Sequence, residues 1–294
     1  MAEPILLTHT DLDGIGCGVV FRGVFGPGSI VSLVENGAID TRVNDALAAA
    51  EADPRSRPLW VTDHAVSDGT AERVDRFLDM GGQFTLLDHH RSSRHLIDRP
   101  WATVDDTRSA TSLLFDRLGR PDRFAEFVSL VEDHDLWRHA DPRSAQLSAL
   151  VGLLGHDRFL GRFSLDPAIQ FSEGERLLID TEDRRKEDYL AKKSGQARLL
   201  DLAGARWAVC YAEQYQSDLA ERLMVEHGVG ATAIVNPGKR TVSLRGQGVD
   251  VAPLAEAWGG GGHSRAAAFT FAGSPLEIAL ARFESELDRA LSGD

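Results

Sequence analysis

Residues 4–14 read PILLTHTDLDG. An apolar run of strand length opens this stretch, and His9, Asp11 and Asp13 follow it at alternate positions. An unbroken apolar run is typical of a strand that is buried on both faces of a parallel sheet. Ligands of such sheets bind beyond the carboxyl ends of the strands. The stretch therefore predicts an α/β fold with a polar site at one edge of its sheet.

The same alternation of apolar runs and helical patterns continues through the first half of the chain. We predict strands at 4–8, 30–34, 59–62 and 84–87, separated by helices at 14–25, 42–52 and 70–80, with further helices at 109–118 and 123–131. Strands that alternate with helices in this way form a parallel sheet with helices on both faces.

A long charged segment precedes the last third of the chain. Residues 173–200 place acidic side chains four positions before basic ones, as in Asp180 and Arg184, which favours a solvated helix. Predicted strands follow at 207–211, 232–235, 240–244 and 267–271, with an amphipathic helix between the first two. We expect three parts: a parallel-sheet domain over 1–170, a connector helix within 171–200, and a smaller mixed α/β domain over 201–294.

Composition narrows the classes of function. The 294 residues carry a formal charge of -13, from 32 basic and 45 acidic side chains, which argues against binding long duplexes through a broad basic surface. No signal peptide and no membrane-spanning apolar stretch is evident, so we expect a cytoplasmic protein that does not contact membranes. The two cysteines, Cys17 and Cys210, lie far apart, which argues against a disulfide framework or a structural zinc site.

Acidic and histidine side chains recur where apolar segments end. Asp63 and His64 follow one predicted strand, residues 88–90 read DHH after the next, and residues 132–135 read EDHD after a further apolar segment. Two carboxylates about 4 Å apart repel by roughly 4 kcal/mol at an effective dielectric near 20, so several at one edge require cations. Mixed carboxylate and imidazole ligands suit manganese, iron, cobalt or zinc better than calcium. The pattern predicts a metal site, and a pair of divalent ions is the usual device for phosphoester hydrolysis.

Together these motifs resemble the DHH phosphoesterase superfamily. Its name-giving tripeptide is residues 88–90, and the His-x-Asp-x-Asp-Gly motif of residues 9–14 precedes it. Residues 259–268 read GGGGHSRAAA, which is similar to the glycine–histidine motif of the DHH-associated domain, and residues 243–245 resemble the Ser-Leu-Arg strand before it. The resemblance covers essentially the whole chain, with the motifs in the expected order. It implies a metal-dependent phosphoesterase.

The resemblance also implies two divalent metal ions, and we expect both to be manganese. His9 and Asp11 would bind one ion, and Asp13 and His89 would bind the other. Asp63 would bridge the two ions.

The fourth motif and the DHH tripeptide supply the remaining expected roles. We expect the further metal ligand at Asp133, with Asp135 as its rival. As the resemblance implies, His90 would contact the phosphate or protonate the leaving oxygen, and Asp88 would orient the histidines. His64 has no role in the family and is expected to be a structural or surface residue.

Contacts with the rest of the substrate are expected in the second domain. The residues implied are Arg245, Gly260, Gly261, Gly262, His263 and Arg265. Glycines let backbone N–H groups approach a phosphate closely, and the basic side chains add charge-assisted hydrogen bonds. The alternative interpretation is a flexible glycine-rich loop.

The short spacing of the first motif resembles NrnB-type nanoRNases and some archaeal RecJ-like nucleases. It implies an exonuclease that hydrolyses very short oligonucleotides to nucleoside 5′-monophosphates. Alternatives with the same chemistry are a phosphodiesterase for cyclic or linear dinucleotides and a phosphatase for 3′-phosphoadenosine 5′-phosphate. A RecJ-like exonuclease on single-stranded DNA is less expected, because no added nucleic-acid-binding domain fits in the chain. An inorganic pyrophosphatase of this superfamily would carry a basic C-terminal motif instead of the glycine–histidine one.

The expected partner is therefore a short oligonucleotide or a dinucleotide, without binding to long duplexes. A homodimer is left open. The alternative from another class is a catalytically inactive binding module. Such a module would have lost metal ligands, whereas all six candidate positions are filled.

Overall fold

The computed structural model describes residues 3–35, 37–202 and 204–271. The chain divides after Asp180 into two compact units. The domain range 201–294 expected from the sequence includes residues 272–294, which lie outside the described residues. Each unit is described by itself below, as the first unit and the second unit.

The first unit is built on a five-stranded sheet. Its strands are β1 (Ile5–Thr8), β2 (Ile30–Leu33), β3 (Leu59–Thr62), β4 (Phe84–Asp88) and β5 (Ala102–Val104). They lie in the order β2-β1-β3-β4-β5, and every neighbouring pair is parallel. The four predicted strands are present within one residue at each end, and the short β5 was not predicted.

Helices cover both faces of this sheet, as predicted. They are α1 (Leu12–Phe25), α2 (Ile39–Ala50), α3 (Asp68–Asp79), α4 (Ala110–Arg117), α5 (Ala125–Asp135), α6 (Pro142–Leu154) and α7 (His156–Leu165). One hydrophobic cluster joins Leu6 of β1 to α1, α4, α5, α6 and α7. A second cluster joins the adjacent Leu7 to α2 and α3. Successive residues of a strand point to opposite faces, which is why a continuous apolar run is needed here.

The second unit contains a mixed six-stranded sheet. The remaining elements of the chain are α8 (Glu173–Ser194), β6 (Arg198–Leu202), β7 (Ala205–Tyr211), α9 (Gln216–His227), β8 (Ala231–Asn236), β9 (Thr241–Gly246), α10 (Ala252–Ala257), β10 (Gly261–His263) and β11 (Ala266–Thr270). The strand order is β10-β11-β9-β8-β7-β6, and β7 and β8 form the parallel pair. The smaller mixed α/β fold expected for this region is confirmed. Within the described residues, no helix combines the length and the apolar character needed to cross a membrane.

The charged segment forms a shorter helix than the sequence predicts. Helix α8 ends at Ser194 instead of continuing to residue 200. Residues 198–202 form β6, which pairs with β7 in antiparallel register from Arg198 opposite Val209 to Leu202 opposite Ala205. Pairing with this strand outweighs the local helix propensity of residues 198–202.

The α5–α7 contact is expected to stabilise the first unit. Phe127 is fully buried, and its ring centroid lies 5.5 Å from that of Phe163. Replacing Phe127 by alanine leaves a cavity and should lower the free energy of unfolding by about 3–5 kcal/mol. Urea denaturation followed by circular dichroism measures this. Leu165→Ala in the same unit, at a side chain that is 84% exposed, is the control and should change stability by less than about 0.5 kcal/mol.

Candidate metal centre

Three neighbouring strands deliver the motif residues to one edge of the first sheet. β1 ends at Thr8, directly before His9, and β3 ends at Thr62, directly before Asp63. β4 ends on Asp88, the first residue of the DHH tripeptide. Because these strands are parallel, their carboxyl ends meet at the same edge.

His9, Asp11 and Asp63 form a first group of donors, with ligand atoms within 4.8 Å of one another. His9 Nδ1 lies 2.9 Å from Asp11 Oδ2 and 3.8 Å from Asp63 Oδ2. Asp11 also caps α1 by accepting the Gly14 N–H at 3.0 Å. Burial would raise the pKa of Asp11, but hydrogen bonds from His9 and the Gly14 N–H hold that pKa below its usual range. The hydrogen bond with Asp11 raises the pKa of His9 against the effect of burial.

Asp13, His89 and Asp135 form a second group, also within 4.8 Å. His89 Nε2 lies 3.8 Å from Asp13 Oδ2, and His89 Nδ1 lies 3.5 Å from Asp135 Oδ2. The carboxylate of Asp13 accepts the N–H groups of Ala110 and Thr111 at 2.6 and 2.9 Å, so the start of α4 fixes its orientation. Burial raises the pKa of Asp13. Burial and the charges of Asp13 and Asp11 raise the pKa of Asp135 to about 8.

Asp63 lies between the two groups. Its Oδ1 is 3.3 Å from His89 Nε2, while its Oδ2 faces His9. The backbone of Asp63 has a φ of 58°, a left-handed conformation that few non-glycine residues adopt, and its N–H donates to the Leu87 carbonyl at 3.0 Å. Burial, reinforced by neighbouring carboxylates, raises the pKa of Asp63 well above its usual range.

The donor set fits divalent cations. Asp63 Oδ2 and Asp135 Oδ2 are buried and accept no hydrogen bond from the residues that the structure describes. A buried carboxylate oxygen without a donor is costly, and each of these two lies beside an imidazole. A divalent cation satisfies such oxygens, and a mixture of carboxylate and imidazole donors suits transition metals. The residues present therefore fit the metal ions that the sequence predicts.

The structure brings Asp135 into the cluster and leaves Asp133 outside it. Asp133 accepts the N–H groups of Ala140 and Asp141 at 2.9 and 3.3 Å, so its carboxylate holds the turn after α5. Both aspartates lie in the last turn of α5, where residues two positions apart point in widely different directions. Only one of them can therefore face the sheet edge. The geometry therefore favours Asp135, the rival that the sequence left open, over Asp133 as the further donor.

Asp88 and His90 form a hydrogen-bonded pair at the rim of the cluster. His90 Nδ1 donates to Asp88 Oδ1 at 2.8 Å and lies 3.7 Å from Asp63 Oδ1. Asp88 Oδ2 accepts a hydrogen bond from the buried Ser93 hydroxyl, so both oxygens of Asp88 are occupied. A further group of four donors joins this pair to Asp63 and His89. Because its oxygens already have donors, Asp88 suits an orienting role better than a ligand role, and its hydrogen bond raises the pKa of His90.

Two further residues, His64 and Ser93, orient side chains of the cluster. The sequence did not identify either of them in that role. His64 is buried, its Nε2 donates to the Val34 carbonyl at 3.1 Å, and its ring lies edge-on to His9 at 5.0 Å. Ser93 fixes Asp88. For His64, its position directly after Asp63 was a signal of this role in the sequence. For Ser93, nothing in the local pattern distinguishes it from an ordinary turn serine.

The glycine run of the second unit is part of a hairpin. Gly261–His263 is β10, which pairs with β11, and the N–H groups of Gly259 and Gly260 donate to carbonyls of α10. A Cβ on Gly260 would lie 2.1 Å from the Ala268 carbonyl oxygen, so close backbone approach explains this glycine. Gly261 and Gly262 lie in β10, and His263 and Arg265 are exposed at the hairpin tip.

Arg245 of β9 is half-buried in the same sheet. Its Nη1 and Nη2 donate to the Leu244 carbonyl and the Ser217 hydroxyl, both at 3.0 Å. Burial lowers the pKa of its guanidinium. The roles expected for these second-unit residues remain predictions.

The raised pKa of Asp135 predicts how stability depends on pH without metal. Its pKa is about 8 in the folded chain and about 4 in an unfolded one, so unfolding releases a proton between these values. The free energy of unfolding in EDTA should therefore fall as pH rises through this window. Asp135→Asn should make that fall smaller, whereas Asp133→Asn should destabilise at every pH through its lost hydrogen bonds. Urea denaturation at two pH values measures both. An unchanged pH dependence in Asp135→Asn would contradict the burial of this carboxylate.

Comparison with known proteins places this geometry in a family. No protein-family model matches the chain. The oligoribonuclease NrnB of Bacillus subtilis is 31% identical over 298 residues, which covers 94% of this chain and 75% of the relative.

Solved structures share the fold. The pGpG-specific phosphodiesterase PggH from Vibrio cholerae has a TM-score of 0.59 at 12% identity, over 99% of this chain and all of that one. The DHH domain of a member of a ribosomal protein family has a TM-score of 0.56 at 14% identity, over 97% and 86% of the two chains. The exonuclease RecJ bound to manganese has a TM-score of 0.52 at 17% identity, over 98% and 90%. At these identities the structures show the fold alone, whereas the identity to NrnB extends over nearly the whole chain. The protein belongs to the family of the oligoribonuclease NrnB, and it shares its fold with DHH-domain proteins.

Proposed function

We propose that this protein is a two-metal phosphodiesterase that hydrolyses very short oligonucleotides to nucleoside 5′-monophosphates. The observation that carries the proposal is the pair of donor groups joined by Asp63, with two buried carboxylate oxygens that lack donors among the described residues. The activity named for the NrnB relative supports it. A cluster of this composition, at the carboxyl edge of a parallel sheet, suits chemistry on a phosphate ester.

The proposed ligands follow the two donor groups. His9 and Asp11 would hold one cation, and His89 with Asp13 and Asp135 would hold the other. Asp63 would contact both, because its two oxygens face different groups. We propose manganese as the cation, since mixed carboxylate and imidazole donors suit it and a RecJ structure of the same fold contains it. When bound, two divalent cations lower the pKa of a water and stabilise charge on the phosphoryl oxygens.

His90 is proposed to protonate the leaving oxygen. Its Nδ1 is held by Asp88, which leaves Nε2 for a substrate, and its side chain is 49% exposed at the edge of the cluster. The hydrogen bond to Asp88 raises the pKa of His90, which favours the protonated form that can donate. As a water oxygen forms a bond to phosphorus and the bond from phosphorus to the 3′-oxygen breaks, a proton from His90 would neutralise the 3′-oxygen. The phosphate then stays on the 5′-oxygen of the released nucleotide.

Short substrates are proposed because the chain is acidic. With a net charge of -13 it lacks the excess of basic residues that long nucleic acids require. The substrate-binding residues expected in the second unit, Arg245, His263 and Arg265, would provide only a few phosphate contacts. The alternative is a phosphodiesterase for cyclic or linear dinucleotides, or a phosphatase for 3′-phosphoadenosine 5′-phosphate, since all would use the same metal centre.

Substitution of the shared ligand tests the metal centre. Asp63→Ala and His89→Ala should each lower manganese-dependent hydrolysis of bis(p-nitrophenyl) phosphate by at least about a hundredfold, because loss of a ligand disturbs the cations directly. Asp135→Asn should have a similar effect, whereas Asp133→Asn in the same helical turn should retain most activity. Initial rates measure this, with the exposed Asp45→Asn of α2 as control. Full activity in Asp63→Ala would overturn the proposal.

Substrate length tests the rest of the proposal. One preparation is compared on a 5′-phosphorylated dinucleotide, a long single-stranded RNA, a cyclic dinucleotide and 3′-phosphoadenosine 5′-phosphate. We expect the highest kcat/KM for the dinucleotide, because few phosphate contacts suit a short anion. Faster cleavage of the long RNA contradicts the short-substrate proposal. A preference for either of the last two compounds would select the alternative instead.

A further inference from the structure

A surface cleft opens beside His90 in the first unit. Its volume is about 430 Å³, within the range of small-molecule sites, and its lining residues are His90, Arg94, Ile97, Val104, Asp105 and Asp106. The first three lie in or directly beside the short 3-10 helix Arg91–Leu96, and the other three lie at or directly after the end of β5.

The cleft adjoins the candidate metal centre. His90 lines the cleft, and its Nδ1 lies 3.7 Å from Asp63 Oδ1 in the cluster. An ester whose phosphorus lies at the cluster therefore has its attached group within reach of the cleft. No movement of one unit against the other is needed for this, because all the residues belong to the first unit.

The walls of the cleft are held in place by hydrogen bonds. The Asp105 N–H donates to the Asp88 carbonyl at 3.1 Å, which fixes the cleft to the end of β4. Arg94 Nη2 donates to Asp106 Oδ2 at 2.8 Å across one side. Asp105 Oδ1 accepts both the N–H and the hydroxyl of Thr107. A preformed site of this kind loses little conformational freedom when a ligand binds.

The chemistry of the walls selects the ligand. Ile97, 59% exposed, and the half-buried Val104 supply apolar surface. Asp105 and Asp106 supply two carboxylates against the single guanidinium of Arg94, so a second phosphate would be repelled. Carboxylates accept N–H donors. A flat ring with apolar faces and N–H groups on one edge satisfies both conditions, and a nucleobase has this form.

We propose that this cleft is a nucleobase subsite, in which Ile97 and Val104 contact the base and Asp105 and Asp106 accept its N–H groups. The inference rests on the proposed function and adds a base preference to it. Guanine is the favoured base, because it presents adjacent N–H donors on one edge. Uracil is disfavoured, because its single N–H lies between two carbonyl oxygens, and the carboxylates of Asp105 and Asp106 would repel these oxygens.

Equilibrium binding tests the subsite without turnover. The 294-residue chain with manganese is titrated by calorimetry with guanosine 5′-monophosphate and guanosine 3′-monophosphate, each against the uridine nucleotide of the same linkage. Both linkages are used because a phosphate at the cluster can be attached to the nucleoside through either oxygen. At least one guanosine nucleotide should bind about tenfold more tightly than its uridine counterpart.

Two variants assign the preference to the cleft. Asp106→Asn should remove most of the guanine preference, and Ile97→Ser should weaken binding of both nucleotides. The matched controls are Asp45→Asn on α2 and Ile30→Ser on β2 at the opposite edge of the sheet, and both should bind like the unsubstituted chain. Thermal unfolding verifies that each variant is folded. Equal binding of guanosine and uridine nucleotides, or a preference that survives in both cleft variants, overturns the subsite.

Failure of the proposed function has a different signature. It would appear as absent manganese-dependent hydrolysis of bis(p-nitrophenyl) phosphate by the unsubstituted chain. Hydrolysis of that compound should be retained in the control variants Asp45→Asn and Ile30→Ser, because both positions lie outside the cleft and the metal cluster.

Discussion

The first unit must hold several carboxylates close together at one edge of its sheet, although they repel one another. Asp13, Asp63 and Asp135 are withdrawn from solvent at one edge of a sheet, and burial raises the pKa of each. The fold tolerates the repulsion because a different rigid element holds each carboxylate. Asp63 follows the end of β3, Asp13 is bound by the start of α4, and Asp135 lies in the last turn of α5. The buried carboxylates destabilise the folded chain until cations neutralise their charge. This cost is expected of a site that stabilises charge in a transition state rather than the fold itself.

Much of this arrangement could be predicted from the sequence, because strand ends are easily located. Four apolar runs predict the parallel sheet. Parallel strands bring their carboxyl ends to one edge, independently of the helices between them. The sequence alone therefore suffices to group five residues of the cluster: His9, Asp11, Asp13, Asp63 and His89. Their partners could not be grouped in this way, since Ser93 and the N–H groups at the start of α4 are joined to them only through tertiary packing.

The fourth motif shows where such reasoning fails. The helix predicted from the sequence ends at residue 131, so Asp133 and Asp135 fall after its predicted end, where their directions are not defined. Helix α5 instead continues to Asp135, and because residues two positions apart in a helix diverge, only one of the two aspartates faces the cluster. The glycine run was interpreted through the N–H groups that its glycines expose, and that role remains a prediction. At Gly260 the structure adds a second reason for a glycine, which is the close approach of the facing backbone.

Asp13 serves two purposes, since its carboxylate belongs to the donor cluster and also receives the first N–H groups of α4. In a relative that had lost catalysis, selection on folding alone would still retain this aspartate, because removing it would leave the beginning of a buried helix unsatisfied. Asp135 has no such second task in the described chain, and its charge would become a burden once cations were no longer bound. An inactive descendant should thus lose Asp135 early and keep Asp13. The identity of the residue at position 135 is therefore the better indicator of whether a homologue is still an enzyme.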